Sequence, residues 1–373
     1  MPNEPIPLWE SKALIAMLPK ILLGLLALIV LIVVVGVLIG YLISAPTYTG
    51  PMSDHFDGTS FYTPGAPQPS GLGAVLKWQF NHEYGEPWPS FHNDPPGNVP
   101  VERVRADAPA GQSTVRVTYV NHSTMLLQFD SLNVLTDPIY EKRVSPFSFI
   151  GPARSCPPGI RFDDLPRIDV LLLSHNHWDH LEIETVKRLA ARDKPRVICP
   201  LGVKAFLEKE GVENSTELDW RQSATINDRT TLHCVPAQHF SGRGLFDRNK
   251  TLWAGYVLDN QAVGKLYFAG DSGYGPHFRA IGEQFGPLRL ALIPIGAYKP
   301  RWFMSPVHIG PVEAVHVHQD VRAKQSVAIH FGTFPLADEG EQEPVHDLNR
   351  ALAAKKIDPA QFRALKNGQS VNF

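Results

Sequence analysis

The chain has 373 residues and a formal net charge of −2, with a pI near 6.7, so nothing general draws it electrostatically to nucleic acid. A 43% hydrophobic fraction leaves ample core, and with only 3 cysteines there is no disulfide framework. Cys156, Cys199 and Cys234 lack paired metal-ligand spacing, and Cys199 and Cys234 lie inside apolar runs and read as core residues.

Residues 1–20 form a mixed-charge lead carrying Glu4, Glu10, Lys12 and Lys20. From residue 21 to 43 no charge appears, and the Leu/Ile/Val-rich run is long enough to cross a hydrocarbon core of about 30 Å as a helix. A cleaved signal peptide would have a shorter apolar region and a small-x-small site, and a core helix would need apolar partners all round. The run therefore reads as a single-pass signal-anchor. Lys12 and Lys20 precede it and the next basic residue is Lys77. The positive-inside rule then leaves the N-terminus cytoplasmic and the chain after Ser44 extracytoplasmic.

Residues 44–112 are rich in Pro, Gly and aromatics. Phe56, Phe61, Tyr62, Trp78, Phe80, Tyr84, Trp88 and Phe91 call for burial, so the segment reads as an ordered wrap, with a short helix near 73–80. Residues 113–373 then form the main domain. Val115–Val120 alternates with period two, and Met125–Phe129 and Leu132–Leu135 flank the turn Asp130-Ser131, a hairpin signal. A strand at Val170–Leu173 leads to a helix over Glu182–Ala191, a strand at Arg196–Cys199 and a helix over Val203–Glu210. Further strands are expected at Thr230–Val235, Trp253–Leu258, Lys265–Ala269, Leu290–Ile293 and Ser326–Ile329, with helices at Pro311–Gln319 and Leu348–Lys355. Strands dominate first and strand–helix alternation follows, which predicts an α/β fold of sheets sandwiched between helices.

Apolar strands repeatedly stop at a potential ligand. The strand at 170–173 runs into His175, His177, Asp179 and His180, and later strands end near His239, Asp271 and His330. Three imidazoles and a carboxylate within six residues suit a borderline-soft divalent metal such as zinc. Their fan over two directions predicts two ions. One would take His175, His177 and His239, the other Asp179, His180 and His330. Asp271 would bridge, because a carboxylate has two oxygens to share. Asp137, at the end of the hairpin arm, is placed to orient a ligand histidine. His122 is equally compatible with a place beside the ligands and with simple packing. His55, His82, His92, His233, His277, His316, His318 and His346 read as surface or packing residues. Tyr298, Trp302 and Phe303 suit either core or an apolar acyl groove.

The H-x-H-x-D-H run at 175–180, His239, Gly270-Asp271 and His330 together resemble the metallo-β-lactamase superfamily. Within it, Pro236-Ala-Gln-His-Phe240, Phe268-Ala-Gly-Asp-Ser-Gly-Tyr274, Ile293–Tyr298 with Pro300-Arg-Trp-Phe-Met304, and Ala328–Phe334 are similar to the branch of phospholipases D that hydrolyse N-acylphosphatidylethanolamine. The likeness covers roughly residues 113–355. It implies an αβ/βα sandwich, two Zn2+ ions and cleavage of a phosphodiester by a metal-bridging hydroxide. It also implies a histidine near the substrate phosphate, where His308 stands. That branch carries a glutamine just before this histidine, whereas this chain has Val307.

The expected catalytic residues are thus Asp179, which would ligate and steer the nucleophile's proton, and His308, which would donate to a phosphoryl oxygen or the leaving group. The expected partners are a membrane phospholipid and the bilayer, with a homodimer left open. Two other readings keep part of this picture. One is a lactonase or other ester hydrolase of a small soluble metabolite; the other is a non-catalytic metal-binding membrane protein.

Overall fold

A computed structural model describes residues 8–67, 71–89, 91 and 114–373. The first residues of the lead and the stretch 92–113, His92 included, lie outside the described residues.

The chain divides into two units. The first contains helix α1 (Leu8–Leu42), which starts well upstream of the predicted run and carries Pro19 inside it. Its stretch Pro19–Leu42 has 24 residues, which at 1.5 Å per residue reach about 36 Å. By length and composition that suffices to cross a bilayer. Its Leu, Ile and Val side chains from Ile21 onward are largely exposed, so it is no core helix of this chain. Gly244–Phe246 belong to the same unit, and the Gly40 carbonyl accepts the Leu245 N–H at 3.3 Å.

The second unit contains two sheets, each of seven strands. The first comprises β1 (Arg116–Asn121), β2 (Thr124–Phe129), β3 (Leu132–Thr136), β4 (Val170–Leu172), β5 (Arg196–Pro200) and β6 (Ser215–Leu218). The second comprises β7 (Ser223–Asn227), β8 (Thr230–Val235), β9 (Gly255–Asn260), β10 (Gly264–Phe268), β11 (Leu288–Pro294), β12 (Ala323–Ile329) and β13 (Phe362–Arg363). A last strand, β14 (Ser370–Asn372), returns to pair antiparallel with β1. In each sheet the strands lie nearly in chain order, and β3 to β6 and β10 to β13 are parallel.

Period-two alternation divides the core. Val170, Leu172 and Ile198 face the inter-sheet core with Phe268, Leu292 and Val327. Leu171, Val197 and Cys199 point the other way. There they pack on α3 (Ile183–Asp193) and α4 (Val203–Lys209), through Val186, Leu189, Phe206 and Leu207. The α/β sandwich is therefore as predicted, and element ends shift by only a few residues. The short strands at 215–218 and 223–227, the helix at 277–285 and the two terminal strands were not legible, since a two- to five-residue strand shows too little periodicity. All three cysteines are buried and free.

The wrap is partly as expected. The first helix of this segment, α2, spans Leu72–Phe80. Phe56 and Phe61 are buried and lie against Tyr48. Trp78 and His82 are tied to the buried Asp338 carboxylate at 2.9 and 2.7 Å, and Trp88 donates to the Glu339 carbonyl at 2.8 Å. Phe80, Tyr84 and Phe91 correct the expectation: they are 84%, 73% and 56% exposed. Polar anchors on neighbouring residues hold this stretch, so its aromatics need not all turn inward.

Candidate metal centre

The strand ends converge. β4 stops at Leu172, and Leu173 and Ser174 lead the chain out of the sheet into the His175–His180 run. β8 leads to His239, β10 to Asp271 and β12 to His330. Gly270, just before Asp271, has φ +63°. A Cβ there would lie 2.8 Å from the Ala254 carbonyl and 2.9 Å from Ser174 Cβ, so the turn that presents Asp271 requires glycine. His122, Asp137 and His330 also hold left-handed backbone, with φ 44°, 32° and 61°. Such clustering is common where a site dictates the backbone.

The structure brings the expected ligands close together. His175 Nε2 lies 2.8 Å from His177 Nδ1, and His239 Nε2 lies 3.2 Å from the same atom. Asp271 Oδ2 sits 3.1 Å from His180 Nε2 and 3.0 Å from His330 Nε2, while Asp179 Oδ2 is 3.4 Å from both. His308 Nδ1 is 3.8 Å from Asp271 Oδ2. Donor atoms of His175, His177 and His239, of Asp179, His180, His330 and His122, and of Asp271 with His175 and His180 or with His239 and His308, form groups able to hold a cation.

The far sides of three of these imidazoles are held separately. His180 Nδ1 donates to Asp137 Oδ2 at 2.7 Å, the contact expected of Asp137. Ser174 donates to the same carboxylate through N–H at 2.8 Å and Oγ at 2.6 Å. His175 Nδ1 pairs with Ser174 Oγ at 2.9 Å, and His239 Nδ1 donates to the Val307 carbonyl at 2.9 Å. Each of these bonds fixes the ring's orientation and turns Nε2 inward. The contact at residue 307 runs through the backbone, so His239's anchor does not depend on the side chain there. His308 is positioned by the 301–308 segment: its carbonyl accepts Arg301 Nη1 at 3.1 Å, and Arg301 Nη2 is paired with Glu313 at 2.9 Å.

The site's charges show what it is built for. Burial pushes His177 down to about 3 and His239 down to about 4, which keeps them neutral donors. Burial works against charging His180 and His330 too, yet Asp271 and Asp179 outweigh it. They hold His180 well above the ordinary histidine range and raise His330 to about 9. Asp179 and Asp271 stay well below the usual carboxylate range despite burial, because of those histidines. The carboxylates thus demand positive charge at this point, and His180 Nε2, His330 Nε2 and Asp271 Oδ1 are buried with no hydrogen-bond partner. Inward ring nitrogens, orphaned buried donors and a net demand for positive charge fit bound divalent cations.

Other side chains resolve simply. Tyr298 is buried, with its hydroxyl on Asp347 at 2.5 Å. Phe303 stacks on Trp78 with ring centroids 5.2 Å apart, and Trp302 is 42% exposed. His55 is buried between Asp54 and Asp219, at 2.6 and 2.7 Å. His122, left open by the sequence, reaches Asp179 Oδ2 with Nε2 at 3.1 Å. A histidine in a strand-connecting turn carries no ligand spacing of its own, so only the fold reveals it.

Comparison with known proteins agrees with this geometry. The profile of the beta-lactamase superfamily domain matches residues 132–331. The chain is 38% identical over 298 residues to N-acyl-phosphatidylethanolamine-hydrolyzing phospholipase D 1 of Caenorhabditis elegans, covering 77% of this chain and 83% of that one. It is 34% identical over 236 residues to the mitochondrial N-acyl-phosphatidylethanolamine-hydrolyzing phospholipase D of Saccharomyces cerevisiae, covering 62% of this chain and 50% of that one. Among solved structures, Igni18, a metallo hydrolase from Ignicoccus hospitalis, superposes with a TM-score of 0.54 at 20% identity over 70% of this chain and 98% of that one, which speaks to fold alone. The chain belongs to the metallo-β-lactamase superfamily.

Proposed function

We propose that this superfamily member is a membrane-anchored hydrolase that uses two zinc ions to cleave the phosphodiester of N-acylphosphatidylethanolamine or a related phospholipid. The observation that carries the reading is the grouping of His175 with His177 and His239, of Asp179 with His180, His330 and His122, and of Asp271 with His175 and His180. The 38% likeness to the nematode phospholipase supports the substrate class. Nitrogen-rich donors with carboxylates favour zinc over a hard, oxygen-seeking ion.

When bound, such ions lower the pKa of water and draw charge from phosphoryl oxygens. The chain's own groups supply the rest. Asp179, held ionised, is an acceptor for the proton of the attacking water. His308 is partly exposed, with a side chain 12% accessible, and its Nδ1 has no partner. That atom is buried 3.8 Å from Asp271 Oδ2, and the ring's exposed edge is the part that would hydrogen-bond a phosphoryl oxygen or the departing alkoxide. Water adds to phosphorus, the bond to the N-acylethanolamine oxygen breaks, and phosphatidic acid remains. Helix α1 acts as a single-pass anchor with its N-terminus cytoplasmic, which keeps the hydrolase where lipid is concentrated.

The test is release of phosphatidic acid from N-acylphosphatidylethanolamine in detergent micelles by the full chain, with zinc counted on the same sample. The expected result is two zinc ions per chain and release that falls by more than about 10³ in Asp271→Asn, along with the metal. Two ions with no release would refute the lipid substrate, and an Asp271→Asn enzyme with normal zinc and rate would refute the bridging assignment.

A further inference from the structure

His122 occupies the tight turn between β1 and β2 and touches ligand loops from both sheets. Its backbone N–H donates to Thr333 Oγ1 at 2.9 Å. Its carbonyl accepts the N–H of His330 at 2.8 Å. Its imidazole, 1% exposed, approaches Asp179 Oδ2 at 3.1 Å, lies 4.1 Å from the His330 ring and meets the Phe334 ring edge-on at 5.5 Å. Nδ1 is buried without a partner. The ring's single hydrogen bond therefore goes to Asp179, and Nε2 is the protonated nitrogen. The backbone is left-handed, at φ 44°, so the turn aims this ring at some conformational cost. Asp179 follows β4 in the first sheet and His330 follows β12 in the second. One residue outside both predicted ligand sets thus holds two of the three residues that make up the second, Asp179 by its carboxylate and His330 by its backbone N–H.

We propose that His122 is the positioning residue for the second metal: its ring holds the Asp179 carboxylate and its carbonyl holds the His330 turn, so that this donor set is assembled before the ion arrives. The inference rests on the two-ion reading above but not on the substrate. An outer partner of a metal ligand is typically worth about 10–100-fold in metal affinity, and that loss falls on one ion alone. His175 and His239, in the first set, have their own supports in Ser174 and the Val307 carbonyl.

The decisive variants are His122→Asn and His122→Gln. Asparagine tolerates the left-handed turn but is too short to put a donor where Nε2 lies, whereas glutamine can reach it. Zinc affinity is measured by competition with a chromophoric chelator on the full chain, and the melting temperature of the metal-free protein is followed alongside. The expected result is an unchanged first zinc, a second bound about 10–100-fold more weakly in His122→Asn, and recovery to within a few-fold in His122→Gln. The metal-free melting temperature should stay close to wild type in both. Two zincs of wild-type affinity in His122→Asn would overturn the proposal. So would equal weakening of both ions with a lowered metal-free melting temperature, which is the mark of a merely structural residue. Failure of glutamine to restore the second ion would overturn it too, since His122 would then be a ligand. A wild-type chain holding a single ion would sink the two-ion reading itself, whatever the lipid assay shows.

Discussion

The two halves of the candidate metal centre share the run from His175 to His180 yet are held by different means. His175, His177 and His239 are three imidazoles kept neutral by burial, two of them fixed by a serine hydroxyl and a backbone carbonyl. Asp179, His180 and His330 form a charged cluster in which carboxylates hold two histidines above their ordinary range. Its supports are Asp137 and His122. The first set rests on neutral hydrogen bonds and the second on charge-assisted ones, which are roughly twice as strong. The second half is therefore the more sensitive to loss of a single partner.

The harshest way to erase this difference is to strike what both halves share. Gly270→Ala forces a Cβ to within 2.8 Å of the Ala254 carbonyl at φ +63°. The expected outcome is displacement of Asp271, simultaneous loss of both ions, and a stability cost of about 1–3 kcal/mol, read by zinc counting and denaturant titration. Loss of one ion alone would show that Asp271 does not serve both sets.

A milder pair of changes should separate the halves. Asp137→Asn removes the charge behind His180 and should weaken the second ion about 10–100-fold. Ser174→Ala removes a hydroxyl shared by His175 and the Asp137 carboxylate and should weaken each ion by only a few-fold. The check is stepwise zinc affinity in both variants. Equal weakening of the two ions in Asp137→Asn would remove the distinction.

The smallest expected effect uses a buried histidine far from any ligand set. Burial lowers the affinity of His55 for a proton, but hydrogen bonds to Asp219 and Asp54 prevail and raise its pKa above 6.5. The protonated form is then favoured in the folded state, and its stabilisation is complete below about pH 6.5 and lost as pH rises through the raised value. The melting-temperature gap between wild type and His55→Gln should be widest near pH 6 and shrink by a degree or two towards pH 9. A gap that grows with pH would mean that His55 is held neutral, like His177 and His239.

Much of this was legible in the sequence. Period-two runs named most longer strands, and the residues at which they stop named the candidate donors that the fold brings together, because side-chain alternation and apolar burial are local and repeat along the chain. The unbroken apolar run likewise marked a helix able to cross a bilayer. What the sequence by itself determined is which donors stand at strand ends and which faces of the strands turn inward. Only the tertiary structure decided that β4 and β12, in different sheets, bring Asp179 and His330 to one point. It also decided that His122 clasps both, that Val307 serves His239 through its carbonyl, and that Phe80, Tyr84 and Phe91 stay exposed. Distances between residues over a hundred positions apart depend on how two sheets stack, and backbone groups and turn residues take part without leaving any periodic mark in the sequence.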